Sequence, residues 1–104
     1  MKDVTVHPSA IIYPGAQIGA NSQLEPFSIV GIADRFHDAN PCIIGAESFV
    51  GSRSTIYSGV IAGDRFDVSD QTTVFFDNEF GSNCRVGPKA VVKNGCRFGD
   101  NVRV

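Results

Sequence analysis

Two histidines stand out first, because an imidazole changes charge near neutral pH and can carry a proton in catalysis. His37 lies in the polar run Asp34-Arg35-Phe36-His37-Asp38-Ala39-Asn40-Pro41, where it is a candidate general base. His7 precedes Pro8 and reads as a turn residue. The two are 30 residues apart and there is no third, so neither a three-histidine zinc site nor any other metal site is assigned. Arg53, Gln71 and Lys89 recur at intervals of 18. A fold that stacked such positions would bring them to one edge, where the two cations could grip a phosphate; otherwise they are ordinary solubilising charge. Cys42, Cys84 and Cys96 form no CxxC pair. An odd cysteine count without a signal peptide fits free thiols in a reducing, cytoplasmic compartment.

What must position these groups is a repeat of six. Stepping by six from Val6 to Val30 and again from Ile44 to Val104 visits 16 positions, of which 13 are Val, Ile or Leu and none is charged. All 11 glycines fall one or three residues after this aliphatic slot, as recurring turns require. The slot four residues after it is small: Ala10, Ala16, Ser22, Ser28, Ser48, Ser54, Thr72, Cys84, Ala90 and Cys96 among others. From that slot to the next aliphatic one the pattern alternates in, out, in, which is strand periodicity. Helical apolar spacings of three and four are absent.

Three short strands with a corner after each close a triangular coil of 18 residues. The predicted fold is all-β, a single-stranded parallel β-helix of about five triangular coils. Val50, Val68, Val86 and Val104 form one inner column, Ile56, Val74 and Val92 a second, and Ile44, Ala62, Phe80 and Phe98 a third. Phe66 is expected to fill the space beside Ala62. Cys84 and Cys96 are 12 apart, so they fall in different columns and stay unpaired. Tyr57 and Phe75 stack on an outer edge with Phe76 beside them, and two consecutive outward phenylalanines point to a subunit contact.

The register breaks once. Val30 and Ile44 are 14 residues apart, two more than two repeats, and a loop over about 34–42 is expected to leave one corner there. Otherwise residues 1–104 read as one domain. The net charge of −2 is scattered, with no basic block for nucleic acid and no apolar run long enough to span a membrane. The last coil ends at Val104 without a cap, so the chain reads as a fragment of a longer array or as one whose end something else covers.

The aliphatic-Gly-x-x-small-x pattern over nearly the whole chain resembles the hexapeptide-repeat acyltransferase superfamily. The stretches VHPSAIIYPGAQIGANSQLEPFSIVG and IIGAESFVGSRSTIYSGVIAGDRF are similar to its sugar-nucleotide acetyltransferase-like branch. The resemblance implies a left-handed coil and a homotrimer with clefts between neighbouring subunits. It also implies acetyl-CoA or a similar co-substrate, no tightly bound cofactor, and a sugar or nucleotide sugar as acceptor. In that branch a histidine removes the acceptor's proton, because a neutral alcohol is a poor nucleophile towards a thioester. Where the branch commonly shows Thr-Gly-His-His after the Asp-x-Phe turn, this chain reads Val68-Ser69-Asp70-Gln71. Asp70 stands in the histidine's place as a candidate base, if an apolar interface raises its pKa. On the spacing argument, Arg53, Gln71 and Lys89 are the residues that could grip a phosphate of CoA or of a nucleotide sugar. A non-catalytic scaffold or assembly subunit is the alternative reading. A γ-type carbonic anhydrase would need three histidines, and an ice-binding β-helix would repeat Thr-x-Thr on one face.

Overall fold

The computed structural model describes residues 3–34 and 40–104. His37 and most of the expected loop lie outside the described residues. The chain winds into a parallel β-helix with three walls of five strands each. The first wall is Thr5–Val6, Gln23–Leu24, Phe49–Val50, Asp67–Val68 and Arg85–Val86. The second is Ile11–Ile12, Ile29–Ile32, Thr55–Tyr57, Thr73–Val74 and Val91–Val92. The third is Ala16–Ile18, Cys42–Ile44, Ile61–Ala62, Glu79–Phe80 and Arg97–Phe98.

Two-residue strands cannot stand alone. They persist because each coil pairs with the next along every wall, as where Phe49 N–H donates to Phe66 O at 2.9 Å and Asp67 N–H to Cys84 O at 3.0 Å. The inner columns match the count from sequence: Val50, Val68 and Val86 are in register, as are Ile56, Val74 and Val92, and Ala62, Phe80 and Phe98. Phe66 is fully buried with its ring 4.6 Å from that of Phe80, beside the column that Ala62 leaves thin.

Glycine occupies its two slots for different reasons. Three residues after the aliphatic slot the corner is left-handed: Gly59 has φ of 78°, and Arg53, Gln71 and Lys89 share the region at 56–58°. Of the 11 non-glycine residues with positive φ among the described residues, five are Asp or Asn, the types that tolerate it best. One residue after the aliphatic slot the demand is closeness. A Cβ on Gly51 would meet Asp70 Oδ1 at 2.5 Å and Asp70 N at 2.7 Å in the next coil.

The break differs from the spacing argument. Val30 pairs with Ile56 and Ile18 with Ile44, both 26 residues apart. A single corner between the second and third walls therefore carries eight extra residues (26 against the usual 18), not two further repeats and two residues. The stacked pairs across the break are offset by those eight, except Ile32 and Tyr57, which a register shift leaves 25 apart.

Candidate functional site

The corner between the first and second walls gathers most of the candidates. Asp70 sits on it and Gln71 follows. The backbone N–H groups of Arg53, Gln71 and Lys89 donate to Pro26 O, Ser52 O and Asp70 O at 3.1, 2.9 and 3.0 Å. All three side chains are exposed. The structure thus brings Asp70 together with Arg53, Gln71 and Lys89, and it describes no position for His37.

Asp70 has a job in the corner. Its Oδ1 accepts the Ser52 N–H at 2.9 Å, one coil below. Asp64 does the same for Ala46 N–H at 2.9 Å, and Asp100 for Ser82 N–H at 2.8 Å, on the corner between the third and first walls. In each case a carboxylate two residues past the aliphatic slot ties down an amide that no strand partner reaches. Asp70 is thereby fixed in place, with its carboxylate aimed across the coil boundary.

Sequence reasoning missed the lower half of this edge. Phe27 lies in the same column as Arg53, 57% exposed, with the Arg53 guanidinium 5.3 Å from its ring centre, a cation–π contact. Below it Ser9 Oγ accepts the Phe27 N–H at 2.9 Å, and His7 Nδ1 accepts the Ser9 N–H at 3.1 Å. His7 is a corner residue, as its place before Pro8 suggests. Stepping back 18 from Arg53 lands on Arg35, whereas the insertion makes Phe27 the true neighbour; the signal was present but offset by eight.

The aromatic edge between the second and third walls is also changed. Tyr57 stacks on Phe75 at 5.0 Å between ring centres and lies 4.7 Å from Phe76. Phe76 is only 3% exposed, so it is not the outward residue the spacing implied. The register shift beside Gly31 pairs Ile32 with Tyr57, and Tyr57 closes over Phe76. Nearby, a cleft of about 350 Å³ is floored by Ile43 and Ile61 and edged by Asn40, Asp77 and Glu79.

Cys42, Cys84 and Cys96 are free thiols. Burial pushes the Cys42 thiol up to about 12, so it stays protonated and is no nucleophile. Among the described residues no three His, Cys, Asp or Glu side chains are grouped to hold a metal ion. No helix among them is long and apolar enough to cross a membrane.

No protein-family model matches the chain. It is similar to an acyl-[acyl-carrier-protein]–UDP-N-acetylglucosamine O-acyltransferase of Chlamydia caviae, 28% identical over 104 residues, covering 95% of this chain and 37% of that protein. The chain therefore spans just over a third of that relative's length. Among solved structures it resembles a histidine-to-alanine variant of GDP-perosamine N-acetyltransferase from Caulobacter crescentus, in complex with CoA and GDP-perosamine. The TM-score is 0.59 at 21% identity, over 98% of this chain and 52% of that one. PerB of the same organism, with the same two ligands, gives 0.55 at 20% identity, over 93% and 52%. The sequence match bears out the resemblance to an acyltransferase, and the solved structures bear out the fold, a left-handed parallel β-helix.

Proposed function

We propose that this hexapeptide-repeat β-helix moves an acetyl-like group from acyl-CoA to a hydroxyl or amine of a sugar or nucleotide sugar. The observation that carries acyl transfer to a sugar nucleotide is the match over 95% of the chain to an acyl-carrier-protein-dependent UDP-N-acetylglucosamine O-acyltransferase, and CoA as the donor follows the CoA complexes of the similar solved structures. The corner between the first and second walls supports it. Arg53 and Lys89 bracket Gln71 along the helix axis, a cationic rail on which a phosphate of the donor or acceptor fits.

His37 is the proposed base, with Asp70, fixed beside the rail, as the second proton acceptor. A base is needed because an acceptor hydroxyl must lose its proton as its oxygen attacks the thioester carbonyl; the thiol of CoA then leaves. The subunits form a homotrimer in this reading. The second wall suits their contact, because its outward residues Ile11, Ile29, Thr55, Thr73 and Val91 carry no charge and Ile11 and Val91 are exposed. A cytoplasmic location belongs to the same reading, and three free thiols are in keeping with a reducing compartment.

Calorimetric titration with CoA tests the donor half. Binding that weakens at least tenfold in an Arg53→Gln/Lys89→Gln double variant supports the rail. A native protein that gives no heat with CoA overturns the reading and favours a non-catalytic assembly subunit.

A further inference from the structure

The outer face of the first wall carries a groove of about 430 Å³ that the edge described above does not use. Phe49, Asp67, Arg85 and Arg103 line it from the wall, and Glu47 and Arg65 from the corner. Its volume is in the range of small-molecule sites.

The backbone forces two arginines together at one end. Arg85 pairs in parallel register with Arg103. Arg85 N–H donates to Val102 O at 2.9 Å, and Val104 N–H returns to Arg85 O at 2.8 Å. Both side chains therefore leave the same face, one strand spacing apart, about 4.8 Å. Like charges directly opposed across a strand pair repel.

The acids of the groove do not cancel this. Arg65 Nη1 lies 3.7 Å from Glu47 Oε1, and Arg85 Nε lies 3.4 Å from Asp67 Oδ2, both on the side away from Arg103. Among the described residues Arg103 has no carboxylate within ion-pair distance. Among the lining side chains three arginines face two acids, and Arg103 is the arginine without an ion pair among the described residues. An oxyanion between the two guanidiniums would relieve their repulsion, and the planar forks suit phosphate better than lysine would.

We infer that this groove is a phosphate site: a phosphate group sits between Arg85 and Arg103, and the rest of a small molecule runs down over Phe49 towards Glu47. The site lies on a different face from the Arg53–Lys89 rail and stands whether or not acyl transfer occurs. The phosphate belongs either to a nucleoside diphosphate or to an adenosine bisphosphate of the kind that ends CoA.

Calorimetry in low-salt, phosphate-free buffer tests this with inorganic phosphate, uridine diphosphate and adenosine 3′,5′-bisphosphate as probes. At least one nucleotide should bind, and inorganic phosphate should compete with it. Arg85→Gln and Arg103→Gln should each weaken binding tenfold or more, with unchanged melting temperatures. Arg97→Gln, an arginine paired with Glu79 on the third wall, should leave binding unaltered. The tighter nucleotide identifies the source, and either result supports the site. No binding by any probe, no loss in Arg103→Gln, or equal loss in Arg97→Gln overturns it.

Discussion

At the scale of single residues, one side chain often serves the corner and the candidate chemistry together. Asp70 illustrates this, since its Oδ1 holds the Ser52 N–H while the proposed function casts it as a proton acceptor. Asp70→Asn keeps an acceptor oxygen and should melt close to the native protein. Asp70→Ala strands the amide and should lose about 1 kcal/mol, read by thermal or urea unfolding. A fall in turnover in Asp70→Asn with unchanged melting would assign the carboxylate to catalysis. The two glycine slots separate by the same kind of test. Gly51→Asn should lose about 1–3 kcal/mol, because its Cβ strikes the backbone of Asp70. Gly95→Asn should be nearly neutral, because its φ of 75° suits asparagine and nothing lies within 4 Å of a Cβ there. Cys42 adds a pH dependence. Burial pushes its thiol to about 12, above the ordinary 9.0, so the folded state holds the thiol proton more tightly than the unfolded chain does. That contribution is complete below about pH 9 and is lost as pH rises towards 12. Melting curves taken upward from pH 8 should show Cys42→Ala losing less stability than the native protein across that window.

At the scale of elements, the short strands hold their places through column filling rather than length. Phe66 is the clearest case: it is an oversized residue in a small slot, fully buried against Phe80. Phe66→Ala should cost about 3–5 kcal/mol by equilibrium unfolding, and Phe66→Leu noticeably less. Much of this level was legible in the sequence. Aliphatic residues every six, and stacking every 18, name the inner columns because inward slots tolerate only apolar side chains. The remainder was not legible for two physical reasons. The eight-residue insertion shifts every neighbour across it, so the Phe27–Arg53 contact is invisible to a fixed step. Outward slots obey no such constraint, so the burial of Phe76 under Tyr57 and the Arg85–Arg103 pair depend on local register and side-chain direction. Arg85 and Arg103 are 18 apart in the chain, but no spacing says that a groove lies between them.

At the scale of the whole molecule, the three walls have different outward chemistry. The first is charged and grooved, the second is uncharged, and the third mixes exposed Ile43 and Ile61 with the Glu79–Arg97 pair. Such a prism can use one wall for assembly while its edges and grooves bind ligands. The release of free CoA thiol from acetyl-CoA, followed with and without amino- and hydroxy-sugar nucleotides, tests the acyl-transfer reading most directly. The account predicts thiol release that depends on the acceptor and falls about a hundredfold or more in His37→Ala. Thiol release no faster than in buffer with every acceptor, or release indifferent to acceptor and to His37, would contradict it.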